Sequence, residues 1–289
     1  MSISVVIAAH NEESVIGRCL DAMLEGARSG ELEIVVVCNG CTDRTAERAR
    51  RHGDGVTVLE TPVASKTGAL NAGDAHVSGF PRFYVDADVT LPLESMRRIA
   101  SRLVAGDALA AAPMMDLDLR VSSRLVRAYY RVWRRLPYVH EGMIGVGVYA
   151  LSEDGRRRFG DFPDVIADDG YVRALFTTSE RIRVEDAPVR VQAPSGLSDL
   201  LRIKTRSRLG RYELAQRFPE LLSRERTTKS YRNAAWTILV RPWLWPAAAV
   251  YAAVVVQSHR RASKQLPSIE SYVWERDQSS RRSTGPDSP

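Results

Sequence analysis

A doubly wound α/β fold with a mostly parallel sheet is what this sequence predicts. Short apolar runs alternate with amphipathic stretches through the first half. A polar segment carrying Asn, Asp or Lys stands at the end of each run. The third observation is Asp86-Ala87-Asp88, placed directly after the apolar Phe83-Tyr84-Val85. It delivers two carboxylates to the carboxyl edge of the sheet, where open α/β sheets bind ligands.

Ile3 to Ala8 reads as a buried strand, and Val15, Ile16, Cys19, Leu20, Met23 and Leu24 mark the apolar side of the stretch after it. Leu32 to Cys38 is a second strand that enters a turn at Asn39-Gly40. Thr42-Asp43 caps a helix to about His52. Val56 to Leu59 is a third strand, Thr67 to His76 a helix, and Arg82 to Val85 a fourth strand. Pro92 sits near the first turn of a helix that runs to about Val104. Beyond it the pattern loosens. Val121 to Leu136 looks helical, and the Gly-punctuated stretch from Gly142 to Tyr149 is a strand or loop. Asp168-Asp169 opens a helix through Phe176, and Leu197 to about Phe218 is a basic helix.

The chain has 289 residues, 44% hydrophobic, which suffices for one large domain or two small ones. A net charge of +6, concentrated between Arg202 and Arg232 and again from His259 to Lys264, points to anionic partners. No aromatic residues interleave with the Arg cluster in the manner of a stacking platform, so nucleic acid is not expected. The N-terminus has no basic segment before its apolar run, and the default expectation is a cytoplasmic protein. Cys19, Cys38 and Cys41 cannot make a disulfide framework, and the Cys38–Cys41 spacing lacks the further ligands of a zinc site.

Four segments bear the chemistry, each at a strand end. His10-Asn11-Glu12-Glu13 follows the first strand, and the stretch from Cys38 to Asp43 follows the second. The stretch from Ser65 to Asn71 sets Lys66 at a helix N-terminus, a place suited to anionic oxygen. Asp86 and Asp88 offer oxygen ligands to Mg²⁺ or Mn²⁺, which share such carboxylates with substrate phosphates. Taken singly, Asn11 and Thr42 are equally good helix caps and Lys66 an ordinary surface charge. In one cleft, acid and base make sense if a metal and a phosphate bind together.

In order along the chain, the run from Ser4 to Glu13, the Asn39-to-Asp43 turn, the Lys66-to-Asn71 segment and Asp86-Ala87-Asp88 resemble the signatures of family 2 inverting glycosyltransferases. The resemblance covers roughly residues 2 to 180 and implies the GT-A fold and a nucleoside-diphosphate sugar donor. It implies that Ala9, Asn11, Glu12, Asn39, Asp43 and Lys66 line the nucleotide sugar. It gives Asp86 to the ribose with a share in the metal, and Asp88 to Mn²⁺ or Mg²⁺ on the diphosphate. Asn39 stands where many members carry Asp. Asp168-Asp169 is similar to the family's Glu-Asp pair, which makes Asp169 the general base toward the acceptor hydroxyl and Asp168 its neighbour. Arg208-Leu209-Gly210-Arg211-Tyr212 faintly resembles the Gln-x-x-Arg-Trp motif of processive synthases. Gln and Trp are both replaced, so processive synthesis is not inferred. Arg208 and Arg211 either close over the diphosphate or form a solvated basic face.

The implied organisation is a GT-A-like domain over 1–220, with a nucleotide-sugar-binding half (1–115) and an acceptor half (116–220). A helical, apolar segment follows over 221–266, and a tail without fixed structure over 267–289. Ala234 to Val256 is long enough to span a bilayer, but Arg241 and Pro242 interrupt it. Trp236, Trp243 and Trp245 suit the membrane interface, and a lipid-linked or saccharide acceptor would match contact with the cytoplasmic leaflet. The alternative is a pair of helices packed on the catalytic domain. Two rival functions remain at this stage, a sugar-nucleotide pyrophosphorylase and a non-catalytic binding protein that keeps the fold.

Overall fold

The computed structural model describes residues 2–140, 143, 145–224, 236 and 238–271. The first half repeats one unit. β1 (Ile3–Ala9) leads to α1 (Ile16–Leu24), and β2 (Leu32–Asn39) to α2 (Thr45–Arg50). β3 (Val56–Thr61) leads to α3 (Lys66–Asp74), and β4 (Arg82–Asp86) to α4 (Leu93–Val104). Then come β5 (Ala110–Asp118), α5 (Arg124–Trp133), β6 (Val148–Leu151), α6 (Glu153–Arg156) and α7 (Asp168–Ala174). β7 (Arg181–Gln192), α8 (Leu197–Arg217), α9 (Pro219–Arg224) and α10 (Trp245–Gln265) complete the order.

One seven-stranded sheet runs in the order β3-β2-β1-β4-β6-β5-β7. β1 is parallel to β2 and β4, and β2 to β3, so these strands share a carboxyl edge. The register sets Ala9 opposite Cys38 and Ala8 opposite Asp86 along that edge. β6 is antiparallel to both β4 and β5, while β5 and β7 are parallel to each other. The sheet is mostly parallel, as the alternation predicted.

Helices cover both faces because alternate strand residues point to opposite sides. Val5, Ile7, Val36, Phe83 and Val85 pack with Ile16 and Leu20 of α1 and Ile99 of α4. Val6, Val35, Val37 and Tyr84 pack with Ala69 and Leu70 of α3 and with Phe162 and Phe176. Burial on two faces demands continuous apolar runs, which is why β1 and β2 stand out in the sequence. A Cβ on Gly73 would stand 2.5 Å from Val6 Cγ1, so glycine lets α3 lie close on the sheet. A third cluster joins α5, α8 and α10 through Tyr129, Trp133, Leu200 and Val254.

The second half holds strands that the periodicity did not reveal. β5 contains Pro113, where its register with β7 shifts. β7 alternates buried and exposed residues, with charges at Arg181, Arg183, Glu185 and Arg190, as befits a strand at the sheet edge. The helix expected from Val121 to Leu136 is shorter, Arg124–Trp133, with Ser123 Oγ accepting from Val126 N at 3.4 Å as its cap. Within the apolar C-terminal stretch, α10 begins only at Trp245, with Pro246 in its first turn, and packs Ala247, Val254, Ser258 and Ala262 inward. No helix of the described residues is long and apolar enough to cross a membrane. The tail expected to lack fixed structure lies, from residue 272, outside the described residues.

Candidate active site

Lys66 is the hub. Its Nζ lies 2.7 Å from Asp86 Oδ1 and 3.0 Å from Asp168 Oδ1. Local chemistry explains its position: Ser65 caps α3, its Oγ accepting from Gly68 N at 3.0 Å, and Lys66 is the first residue of the helix. One ammonium thus joins the last residue of β4 to the first residue of α7. Burial would lower the Lys66 pKa, but Asp168, Asp86 and Asp169 outweigh it and raise the pKa above the ordinary lysine value. Burial pushes Asp168 up to about 6, against the pull of Lys66 and with Asp169 and Asp86 adding repulsion. Asp88 is half-buried just past the strand, its carbonyl accepting from Arg18 Nη2 at 3.4 Å.

The segment that enters β6 touches both acid groups. Gly147, at φ +75°, accepts from Asp86 N at 2.7 Å through its carbonyl, and a Cβ there would stand 3.2 Å from Asp86 Oδ2. A Cβ on Gly145 would stand 2.5 Å from Asp169 Oδ2. Asp169 Oδ1 accepts from Gly170 N at 2.8 Å. The buried Tyr149 hydroxyl has no hydrogen-bond partner among the described residues, while its ring stacks on Tyr84 at 5.0 Å. Burial, followed by Asp168, Tyr84, Asp169 and Asp86, raises its pKa far above the phenol value.

The remaining motifs form the neighbouring wall. Asn11, at φ 50°, accepts from Thr42 N at 2.7 Å, and Glu12 N donates to Thr45 Oγ1 at 2.8 Å. Asp43 accepts from Glu13 N at 3.1 Å at Oδ2, and from Thr45 N at 3.0 Å and the Thr45 hydroxyl at Oδ1. Asn39 is buried and donates to Ala9 O at 2.9 Å. Ala9, Asn11, Glu12, Asn39 and Asp43 are therefore knitted across the β1 and β2 ends. Cys41 Sγ donates to Ala9 O at 3.5 Å, and the neighbouring Cys38 thiol lowers its pKa below the ordinary thiol value. No cluster of three or more His, Cys, Asp or Glu poised for a metal occurs among the described residues.

Sequence reasoning missed the props beneath the acid pair. Asn71 clasps the backbone of Phe162, donating to its carbonyl at 3.1 Å and accepting from its N–H at 2.7 Å. Glu213, buried on α8, accepts from Ile166 N at 2.8 Å. A Cβ on Gly210 would meet Ala167 Cβ at 2.7 Å, so α8 seats closely against the residue before Asp168. The Asn71 and Gly210 positions were visible in the motifs, but not what they hold. Arg208 and Arg211 also lie on α8. Arg208 hydrogen-bonds Ser258 and His259, and Arg211 is exposed. Neither shows a hydrogen bond or ion pair to the Lys66 cluster among the described residues.

Residues 4–143 match the model of glycosyl transferase family 2. Over those residues, just under half of its length, the chain is similar to that family. The match supports a glycosyltransferase over a sugar-nucleotide pyrophosphorylase. No curated protein matches by sequence. Among solved structures, this chain is similar to a mannosyltransferase from Pyrobaculum calidifontis in complex with GDP-Man and Mn²⁺. The two share 22% identity over 93% of this chain and 79% of that one, with a TM-score of 0.61. It is also similar to glucosyl-3-phosphoglycerate synthase from Mycobacterium tuberculosis, solved with Mn²⁺, UDP and glucosyl-3-phosphoglycerate. There the identity is 21% over 75% of this chain and 79% of that one, with a TM-score of 0.55. The likeness bears out the GT-A architecture expected from the sequence.

Proposed function

We propose that this chain transfers a sugar, with inversion, from a nucleoside-diphosphate sugar to an acceptor hydroxyl. One observation carries the reading: Lys66 bridges Asp86 of the Asp-x-Asp segment and Asp168 of the distant acid pair, so donor and base motifs face one cleft. Inversion needs attack from the side opposite the leaving group, with a base on the attacking side. Asp169 takes that role, with its Oδ1 on Gly170 N and Oδ2 beside Gly145. Asp168, ion-paired with Lys66, holds the start of α7 in position. Lys66 faces the diphosphate, and the knitted wall of Ala9, Asn11, Glu12, Asn39 and Asp43 flanks the nucleoside.

Asp86 and Asp88 suit Mn²⁺ or Mg²⁺. They are two hard oxygen donors close in the chain, too few for an all-protein cage, and such ions complete their shells with water and substrate phosphate. Bound there, the ion would neutralise the charge developing on the departing diphosphate. The solved relatives with GDP-Man and Mn²⁺, and with UDP and Mn²⁺, support the same choice.

An acceptor at a membrane surface fits the C-terminal segment. Trp236, Leu239, Trp243 and Trp245 are exposed, with Arg241 among them and Arg260 farther along α10. Apolar anchors beside cationic side chains favour the interface of an anionic leaflet, as on the cytoplasmic face of a cell membrane. The test of the whole reading is a donor screen. Full-length protein is incubated with UDP-, GDP- and dTDP-sugars and Mn²⁺, following release of the nucleoside diphosphate. Turnover of one donor that stops with EDTA is the expected result. No turnover and no donor binding with any of them would end the proposal.

A further inference from the structure

Away from the cleft, the cations of α8 keep different company. Lys204 Nζ lies 5.0 Å from the ring centre of Trp133, 5.6 Å from Tyr129 and 5.7 Å from Tyr130. Its charged neighbours are Arg208 and Arg206. Among the described residues no carboxylate pairs with Lys204, Arg208 or His259. One turn along, Arg208 Nε donates to Ser258 Oγ at 2.9 Å and Nη1 to His259 Nε2 at 2.5 Å. A guanidinium only donates. His259 Nε2 therefore accepts, leaving Nδ1 to carry the ring proton toward the Tyr212 hydroxyl 2.5 Å away. Tyr251 of α10 stacks on Tyr129 at 5.2 Å, and Lys204, Arg208 and His259 remain half-buried, in reach of solvent.

Ring faces attract an ammonium only weakly compared with a carboxylate. Against that stand the hydration lost on burial and the repulsion of the neighbouring guanidiniums. Together, burial first and then Arg208 and Arg206 pull the Lys204 pKa down to about 8. Among the described residues Lys204 and Arg208 have no carboxylate partner, which breaks a local rule, and functional sites are where such breaches are expected. A phosphate would answer this arrangement, since Arg offers a planar fork and Lys a point charge to its oxygens.

We infer that Lys204 and Arg208, flanked by the rings of Tyr129 and Tyr251, form a second anion site that takes a phosphate ester, borne by a soluble acceptor or by a lipid headgroup. Gly210, six residues beyond Lys204 and so about 9 Å farther along the helix, packs against Ala167 beside the acid pair. The site thus lies on the helix that supports the base, and it shares no residue with the Lys66 cluster, so it does not depend on the donor assignment.

The test is thermal unfolding of the full-length protein with inorganic phosphate and glycerol 3-phosphate, plus sedimentation with phosphatidylglycerol and phosphatidylcholine vesicles. Wild type, Lys204→Met and Arg208→Gln are compared. A midpoint raised by a few degrees, and lost in both variants, supports the site with a soluble ester. Binding to phosphatidylglycerol alone, lost in both variants, supports it with a headgroup. Without ligand, Lys204→Met should unfold at a higher temperature than wild type, because an apolar side chain replaces an unpaired cation. A lower midpoint would mark Lys204 as a satisfied structural residue and overturn the proposal. So would phosphate or vesicle effects that survive both substitutions, or the absence of any such effect.

Discussion

Lys66 and Lys204 are both half-buried, and their surroundings are opposites. Lys66 touches Asp86 and Asp168, and its charged state is stabilised. Lys204 meets rings and guanidiniums, and its charged state is penalised. The first cluster is balanced within the fold and therefore pre-organised. The second has no carboxylate partner at Lys204 or Arg208 among the described residues. A lysine's role is thus read from the sign of its neighbours more than from its burial. Substitutions at the balanced cleft should cost stability or turnover, and removing the unbalanced cation should cost neither until its ligand is present.

The largest effect is expected at Asp169. Asp169→Asn keeps the shape of the side chain and removes its basicity, so turnover should fall about 10²- to 10⁴-fold. Donor affinity, measured by calorimetry, should stay near the wild-type value. Turnover close to wild type would remove Asp169 from the base role and leave the cleft a donor-binding feature.

Next comes the balanced lysine itself. Lys66→Met strands the buried Asp168 beside Asp169 and Asp86, and breaking such a pair costs about 3 kcal/mol. Urea unfolding reads this directly. The pH dependence follows from Asp168, whose burial raises its folded pKa to about 6, above the ordinary aspartate range. A raised carboxyl pKa contributes stability that is complete below the unfolded value and lost as pH rises through the folded one. Without Lys66 the folded value climbs further, so the variant's deficit should be large at pH 8 and shrink toward pH 5. A deficit that stays constant with pH would show that Lys66 does not balance Asp168.

Much of this cleft was legible before any coordinates. β1 to β4 are buried on both faces, so their apolar runs announce themselves, and the motifs at their ends must then share an edge. Asp168-Asp169 was legible as a helix start. What the sequence hid depends on contacts between distant segments. Pro113 and the charges of β7 disguise strands that only pairing explains. Glu213 reads as a surface acid of a basic helix until Ile166 N is found on it. The aromatic surroundings of Lys204 come from α5, so α8 alone looks like a solvated basic face. Charge runs report composition, whereas their partners are set by packing.

Gly145 offers a finer probe of the cleft. In Gly145→Ala the new Cβ would lie 2.5 Å from Asp169 Oδ2, the far end of a side chain that can turn aside. The fold should hardly notice, while the Asp169 carboxylate is displaced from the position proposed for the base. Displacement on the ångström scale costs about 10²-fold in rate. A drop of about 10- to 100-fold in kcat with an unchanged unfolding midpoint is expected. If kcat holds, the carboxylate works from a position that Gly145 does not control.

Tyr149 is the smallest test and the one that connects the two kinds of site. Its hydroxyl is buried without a partner among the described residues, beside the Lys66 cluster. Leaving a buried hydroxyl unmatched costs about 1 kcal/mol or more. Tyr149→Phe keeps the stacking on Tyr84 and removes only that oxygen. The ligand-free variant should therefore be more stable by about 1 kcal/mol in urea unfolding. If bound donor or acceptor supplies the missing partner, ligand should stabilise wild type more than the variant, and the two unfolding curves should draw together at saturation. A variant less stable than wild type without ligand would mean that the hydroxyl already has a partner, such as ordered water, and the cleft would be balanced throughout.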